Sequence, residues 1–177
     1  EVLYTALTHS REPLGMMNLI YFVQLLAEEQ NSNPELEYLI SNREMWFIPV
    51  VNPDGYVYNE LIEPNGGGMH RKNRLNTNCG NGSNRGVDLN RNYGFGWGSN
   101  DIGSSPNPCS ATYRGDVEFS EPETQAVRDF IINHDFNNVL HYHCYSNIYI
   151  HPWGNGSIPE EPDSSTLVDI GREMARY

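Results

Sequence analysis

The sequence predicts an α/β domain, a mixed, largely parallel sheet flanked by helices. Short apolar runs alternate with helix-length amphipathic segments, and polar turns follow those runs at their carboxyl ends. The 177 residues suffice for one buried core but not for two generous domains. Sheets wound in this strand, helix, strand rhythm collect functional groups just past the carboxyl ends of their strands.

Glu1-Val2-Leu3-Tyr4-Thr5-Ala6-Leu7 has the composition of a strand already in progress. His9-Ser10-Arg11-Glu12-Pro13 is a polar turn, and Pro13 suits the first turn of a helix that Leu14, Met17, Tyr21 and Leu25 continue. That helix is apolar nearly all round, so burial is expected. Asn31 to Pro34 punctuates, and a second amphipathic helix over Glu35 to Ile40 leads into Glu44 to Val51, an apolar run of buried-strand type. Asn52-Pro53-Asp54-Gly55 stops it with turn chemistry.

From Glu63 to Cys109 the chain is polar and rich in Gly and Asn, without a periodic element. Compact domains carry so long an irregular stretch when function or cross-linking requires it. Ser120-Glu121-Pro122-Glu123 reads as a capping box with Ser120 as N-cap, and Val127, Phe130 and Ile131 give the helix that follows an apolar stripe ending near Asp135. Asn138 to Tyr145 reads as another strand, Ile148 to His151 as one more, and Ser165 to Tyr177 as a closing helix. Both termini read as cuts through elements. The expectation is one partial catalytic domain over 1–177, incomplete at both ends.

Eleven Lys plus Arg against 23 Asp plus Glu give a net charge of −12, which repels phosphate backbones and anionic bilayers. Nucleic acid and membrane are thereby set aside as partners, and no run approaches the roughly 20 apolar residues of a membrane span. Three Trp, 11 Tyr and 6 Phe give ample material for a core. Nothing in the pattern bears on oligomeric state.

Of three cysteines, Cys79 and Cys109 fall in the irregular stretch, and a bridge between them would close a loop worth roughly 3 to 4 kcal/mol in chain entropy. The spacing suits two unpaired thiols equally well. If the bridge forms, the protein works outside the reducing cytosol, in an extracellular or periplasmic setting. Cys144, in an apolar run, reads as a small buried hydrophobe.

His9 and Glu12 form His-x-x-Glu in the first strand-to-helix turn, two-thirds of the His₂Glu set that a catalytic zinc site uses. His141 and His143 occupy alternate positions of the late strand and share a face, so either could supply the third ligand. His70, His134 and His151 stand beside loop or breaker residues and read as solvated. Arg71, Lys72, Arg74 and Arg91, with Arg85 beside them, concentrate positive charge in an otherwise acidic chain and suggest a receptor for an anionic ligand.

Taken together, these residues resemble the zinc metallocarboxypeptidases of the pancreatic carboxypeptidase A and B type. His9-Ser10-Arg11-Glu12 is similar to that family's first metal motif, and Asn52-Pro53-Asp54-Gly55 to the turn after a central strand. Arg71-Lys72-Asn73-Arg74 resembles its paired-arginine stretch, Gly86-Val87-Asp88-Leu89-Asn90-Arg91-Asn92 its carboxylate-binding motif, and His143-Cys144-Tyr145-Ser146-Asn147 the segment with its second metal histidine.

The resemblance implies a zinc carboxypeptidase-like fold, Zn²⁺ as cofactor, a peptide or protein C-terminus as substrate, and hydrolysis of the last peptide bond. It assigns His9, Glu12 and His143 to the metal, preferring His143 to His141, and makes Asp88 the carboxylate that orients His9. Arg74 would polarise the scissile carbonyl, Asn90 and Arg91 would grip the terminal carboxylate, and Arg11, Arg71 and Tyr145 would line outer subsites. Cys79 and Cys109 match a disulfide of the family. The general-base glutamate and the tyrosine that folds over substrate are expected beyond this chain, since Glu160, Glu161 and Glu173 fall in the wrong context; alone, the chain is expected to hydrolyse little. Two alternatives remain: a non-catalytic relative that keeps the carboxylate grip, and a zinc amidohydrolase acting on small acylated amino acids.

Overall fold

The computed structural model describes residues 1–176 apart from Ser83 and Asn155, and the chain forms two compact units, Glu1–Cys144 and a second that begins at Tyr145. The first unit runs β1 (Val2–Thr5), α1 (Pro13–Glu29), α2 (Pro34–Asn42), β2 (Met45–Ile48), α3 (Pro53–Ile62), a 3₁₀ turn (Leu89–Arg91), α4 (Pro122–Ile132) and β3 (Asn138–His141). The sheet has the order β2-β1-β3 and is parallel throughout, with Leu3 beside Trp46 and Val139, and Tyr4 beside Phe47 and Leu140.

Alternation along the strands assigns the two faces to different helices. Tyr4 stacks on Phe47 at 5.0 Å, and both meet Phe22 of α1 edge-on. Trp46 meets Phe130 of α4 edge-on at 5.4 Å. A core of Val51, Leu89 and Val127, with Ile48, Tyr93 and Ile131 against it, lies on the α4 side. Helices thus cover both faces, as a parallel sheet requires.

Several expectations need correction. Helix α1 is not buried all round: Gly15, Leu19 and Leu26 face inward, while Leu14, Met17, Ile20, Tyr21 and Val23 are exposed. A helix lying on one sheet face has only one stripe to bury. Asn52-Pro53-Asp54-Gly55 is a helix start rather than a free turn, since the Asn52 side chain accepts from the Gly55 amide at 3.0 Å. Helix α3 carries no apolar signal because its buried residues are Gly55 and Asn59, whereas Val57, Leu61 and Ile62 face solvent. A β-carbon on Gly55 would come within 2.7 Å of the Lys72 carbonyl, so only glycine lets α3 approach that segment.

At α4 the N-cap is Glu121, without a side-chain cap of its own, and the Ser120 hydroxyl bonds to Glu121 Oε1 instead of a capping-box amide. Buried Asn92 takes over the role from a distance, accepting from the Glu121 amide and the Thr124 hydroxyl. Strand β3 ends at His141, not Tyr145, and Ile148 to His151 adopts no strand. His134 is not solvated but half-buried against Trp46, Phe130 and Phe136. The second unit contains α5 (Asp163–Met174), with the Tyr149 ring against Gly171; the expected helix end at Tyr177 lies outside the described residues. No helix among the described residues is long and apolar enough to cross a membrane.

Candidate metal centre

Strand β1 ends in a bend at Leu7, a buried residue in the left-handed region at φ 55°. Non-glycine residues tolerate that conformation only where packing fixes it. The chain is thereby turned so that His9 and Glu12 project to the same side, in a tight turn closed by the Glu12 amide donating to the His9 carbonyl at 3.0 Å. His143 arrives from the other parallel neighbour, just past the carboxyl end of β3.

These three residues form the one His/Cys/Asp/Glu group of metal-holding size among the described residues. His9 Nδ1 lies 2.8 Å from Glu12 Oε1, His143 Nδ1 lies 3.0 Å from Glu12 Oε2, and the two Nδ1 atoms are 3.2 Å apart. His9 and Glu12 are buried and His143 is exposed, so the cluster is closed toward the protein and open on one side. His141 is turned elsewhere, with its Nδ1 on the Thr5 hydroxyl. A cavity of about 110 Å³ adjoins the cluster, lined by Thr8, Asn90, Tyr93, His141 and His143.

Asp88 reaches His9 from behind, with Oδ1 3.1 Å from Nε2. It is fully buried and caps the 3₁₀ turn through the Asn90 amide. Gly86, two residues earlier, sits at φ +97°, where a β-carbon would lie 2.0 Å from the Asn73 carbonyl oxygen; the motif's glycine is required by that approach.

The electrostatics follow from this packing. Burial opposes charge on His9, but Asp88 and Glu12 at its two ring nitrogens outweigh it and raise its pKa. Burial also opposes ionisation of Glu12, yet bonds from His143, His9 and the Cys144 amide hold its carboxyl well below the usual carboxylate range. Asp88 is likewise lowered, with burial overcome by His9 and the Arg71 guanidinium.

A zinc ion fits this donor set. The Asp88 carboxylate accepts a hydrogen bond from the Nε2–H of a neutral His9, which leaves the Nδ1 lone pair aimed at Glu12 and at a second imidazole nitrogen. Three electron-pair donors so close together are reconciled by a cation, and two histidines with a glutamate are a zinc-type set whose histidine is oriented by a carboxylate.

The remaining expected residues distribute differently. Arg71 donates through Nε and Nη2 to Asp88 Oδ2. Arg74 is directed elsewhere, its guanidinium 3.5 Å over the Tyr58 ring and Nη2 on the Asn81 carbonyl. Arg91 donates to the Gly103 and Asn90 carbonyls, while Asn90 borders the cavity. Arg11 is exposed, and Tyr145, 95% exposed, opens the second unit. Cys79 and Cys109 are bridged, whereas Cys144 is free and half-buried rather than buried.

Sequence reasoning missed the residues that brace the site. His70 is buried, not solvated, with its ring donating to the Asn73 carbonyl and its amide to Asn59. Lys72 is fully buried, and its ammonium donates to the carbonyls of Asn84, Pro108 and Ser110; burial pulls its pKa down to about 8, with Asp88 opposing. Asn52 and Asn59 tie the Thr8 and Ser10 carbonyls to the Lys72 and His70 carbonyls. The turn motif pointed to Asn52 and the basic cluster to Lys72, though as an anion receptor and not as a buried clasp on carbonyls; His70 and Asn59 carried no such signal.

A parallel sheet with helices on both faces, bringing two histidines and a glutamate together at its strand ends with a carboxylate behind one of them, defines an α/β domain with a candidate metal site. The zinc carboxypeptidase family model matches residues 1–177, and the chain belongs to that family. It is 29% identical over 177 residues to the inactive metallocarboxypeptidase ecm14 of Sclerotinia sclerotiorum, covering 95% of this chain and 28% of that protein. It is 32% identical over 168 residues to carboxypeptidase A1 of Rattus norvegicus, covering 93% and 37%. The crystal structure of the carboxypeptidase A from Helicoverpa armigera matches with a TM-score of 0.81 at 32% identity, over 99% of this chain and 40% of that one. The chain therefore spans less than half the length of each of these relatives.

Proposed function

We propose that the full-length protein is a zinc-dependent carboxypeptidase that hydrolyses the C-terminal peptide bond of peptides or proteins. The observation that carries this is the convergence of His9, Glu12 and His143 beside a cavity bordered by Asn90. Zinc bound there would supply an acidified water and a Lewis acid for the scissile carbonyl.

The chain's own residues take the other roles. Asp88 holds His9 in the tautomer that leaves Nδ1 free for metal. Asn90 and Arg91 receive the substrate's terminal carboxylate, and Arg74 turns from Tyr58 to polarise the scissile carbonyl. Arg11 lines an outer subsite. Proton transfer from the attacking water belongs, by resemblance, to a glutamate in the part of the relatives that this chain does not match. The Cys79–Cys109 bridge supports function outside the reducing cytosol.

A second reading is a carboxylate-binding relative without hydrolysis, favoured by the likeness to a protein named as inactive. The test is zinc-dependent release of C-terminal amino acids by the full-length protein from peptides with free and with amidated ends. Release confined to free ends supports the proposal; binding without release supports the inactive reading, and indifference to amidation points to a zinc amidohydrolase.

A further inference from the structure

We propose that Glu121, at the start of α4, is a positioning residue of the metal centre, its carboxylate anchoring both ends of the segment that carries Asp88 and Asn90. This rests on the reading of His9, Glu12 and His143 as zinc ligands with Asp88 behind His9. Glu121 is 2% exposed. Its Oε2 accepts from Asn73 Nδ2 at 2.6 Å, and its Oε1 accepts from the Ser120 hydroxyl at 2.7 Å. Both donors are uncharged, so the carboxylate is buried among neutral groups.

Each donor leads to one end of the segment. Asn73 holds the entrance: its Oδ1 accepts from the Val87 amide at 2.8 Å, and its own amide donates to the Val87 carbonyl at 3.0 Å. Val87 directly precedes Asp88, whose Oδ1 meets His9 Nε2. The exit is Asn92, whose Nδ2 donates to the Ser120 hydroxyl at 2.9 Å and whose Oδ1 accepts from the Glu121 amide at 3.2 Å. Between these two points stand Asp88 and Asn90, the second of them at the cavity beside the ligand cluster.

A carboxylate suits this place because it accepts at both oxygens and donates at neither, which fixes the direction of every bond it joins. Facing it, the Asn73 amide can present only its NH₂, so Oδ1 is turned to Val87. The Ser120 hydroxyl must donate to it, which leaves the oxygen lone pairs for Asn92. Glutamine has the same shape but offers one acceptor and one donor, so it can serve only one of the two ends. Because burying a charge among neutral donors is costly, that substitution removes the anchor without a matching loss of stability. Glu123 Oε2 also approaches Asn73 Nδ2, at 3.3 Å, but Glu123 has no tie to Ser120 and serves as the control.

The experiment is zinc affinity by chelator competition, with visible spectra of the cobalt-substituted form and urea denaturation of the metal-free form, on the full-length parent, Glu121→Gln and Glu123→Gln. Expected in E121Q are near-parental stability, zinc binding about 10-fold weaker, at the lower end of what partners of metal-bound histidines contribute, and shifted cobalt bands. E123Q is expected to match the parent in affinity and bands. Parental affinity and bands in folded E121Q, whatever its stability, would make Glu121 a purely structural residue and overturn the proposal. An equal loss in E123Q would trace the effect to charge near Asn73 and overturn it too. Where E121Q does not fold, Ser120→Ala, which cuts only the Asn92 end, decides: weaker zinc binding with shifted bands supports the anchor, and parental values refute it. A parent protein that binds no zinc defeats the metal reading itself, and is told apart from failure of this proposal because the parent alone shows it.

Discussion

Replacing Cys79 and Cys109 by serine should lower stability by several kcal/mol while leaving zinc affinity nearly intact. The bridge joins residues separated by 30 positions, and the chain-entropy relation for such a loop gives about 3.6 kcal/mol at 25 °C. Cys109 is exposed and Cys79 half-buried, so the serines leave no cavity to add to that figure. The metal side is insulated because the loop is also pinned from within. The Asp88 amide donates to the Tyr113 carbonyl at 2.8 Å, Val87 and Asn73 exchange two hydrogen bonds, and Lys72 clasps three carbonyls on the loop's flanks. Urea denaturation of the metal-free full-length protein and its C79S/C109S variant, followed by chelator competition on both, measures the two quantities. A stability loss under about 1 kcal/mol would refute the loop-entropy account, and a collapse of zinc affinity would refute the independence of the Asp88 anchorage.

Two further predictions concern histidines. His143→Ala should weaken zinc binding more than the roughly 100-fold reached by outer partners, while His141→Ala, whose ring bonds Thr5, should leave it near the parental value in the same competition assay; the reverse order would exchange their assignments. Burial lowers the pKa of His70, with the Asn73 carbonyl opposing, so the unfolded chain binds the proton more tightly. The stability His70 contributes is therefore complete above its unfolded value of about 6.5 and lost as pH falls through the lower folded value. His70→Gln should flatten that acid limb in denaturation curves taken across pH, and parallel curves for parent and variant would contradict the assignment.

What was legible in the sequence was local. Pro13 at a helix start, the apolar run at Met45–Ile48 and the stripe Val127, Phe130, Ile131 each mark an element whose signal lies within a few neighbouring residues. Helix α3 was hidden because tertiary packing assigned its inner face to Gly55 and Asn59, reversing the hydrophobic pattern that periodicity reads. The α4 cap was misassigned for a related reason: Asn92, far away in sequence, supplies the acceptor that a capping box would have provided locally. At the site, the turn holding His9 and Glu12 could be read as a pair, but His141 and His143 have equal periodicity. They are separated only by the chain leaving the strand after His141, which turns His143 and the Cys144 amide toward Glu12.

The hidden helix and the metal turn have one explanation. The turn carrying His9 and Glu12 is held by polar groups: Ser10 donates to the His70 carbonyl, Asn59 to the Ser10 and His70 carbonyls, and Asn52 to the Thr8 and Lys72 carbonyls. Each such bond adds only about 1 kcal/mol net, but a buried group left unpaired costs about 1–3 kcal/mol, so the network is stable chiefly as a whole. An apolar inner face on α3 would have packed as well and fixed nothing. The polar face holds the turn in the geometry that presents two donors toward a third, without drawing on metal affinity to order it. His143 stands exposed at the end of β3 and meets the cluster through Glu12 and His9. In the proposed metal site the buried pair would therefore be the fixed half, and any ordering on binding would fall on the exposed His143 side.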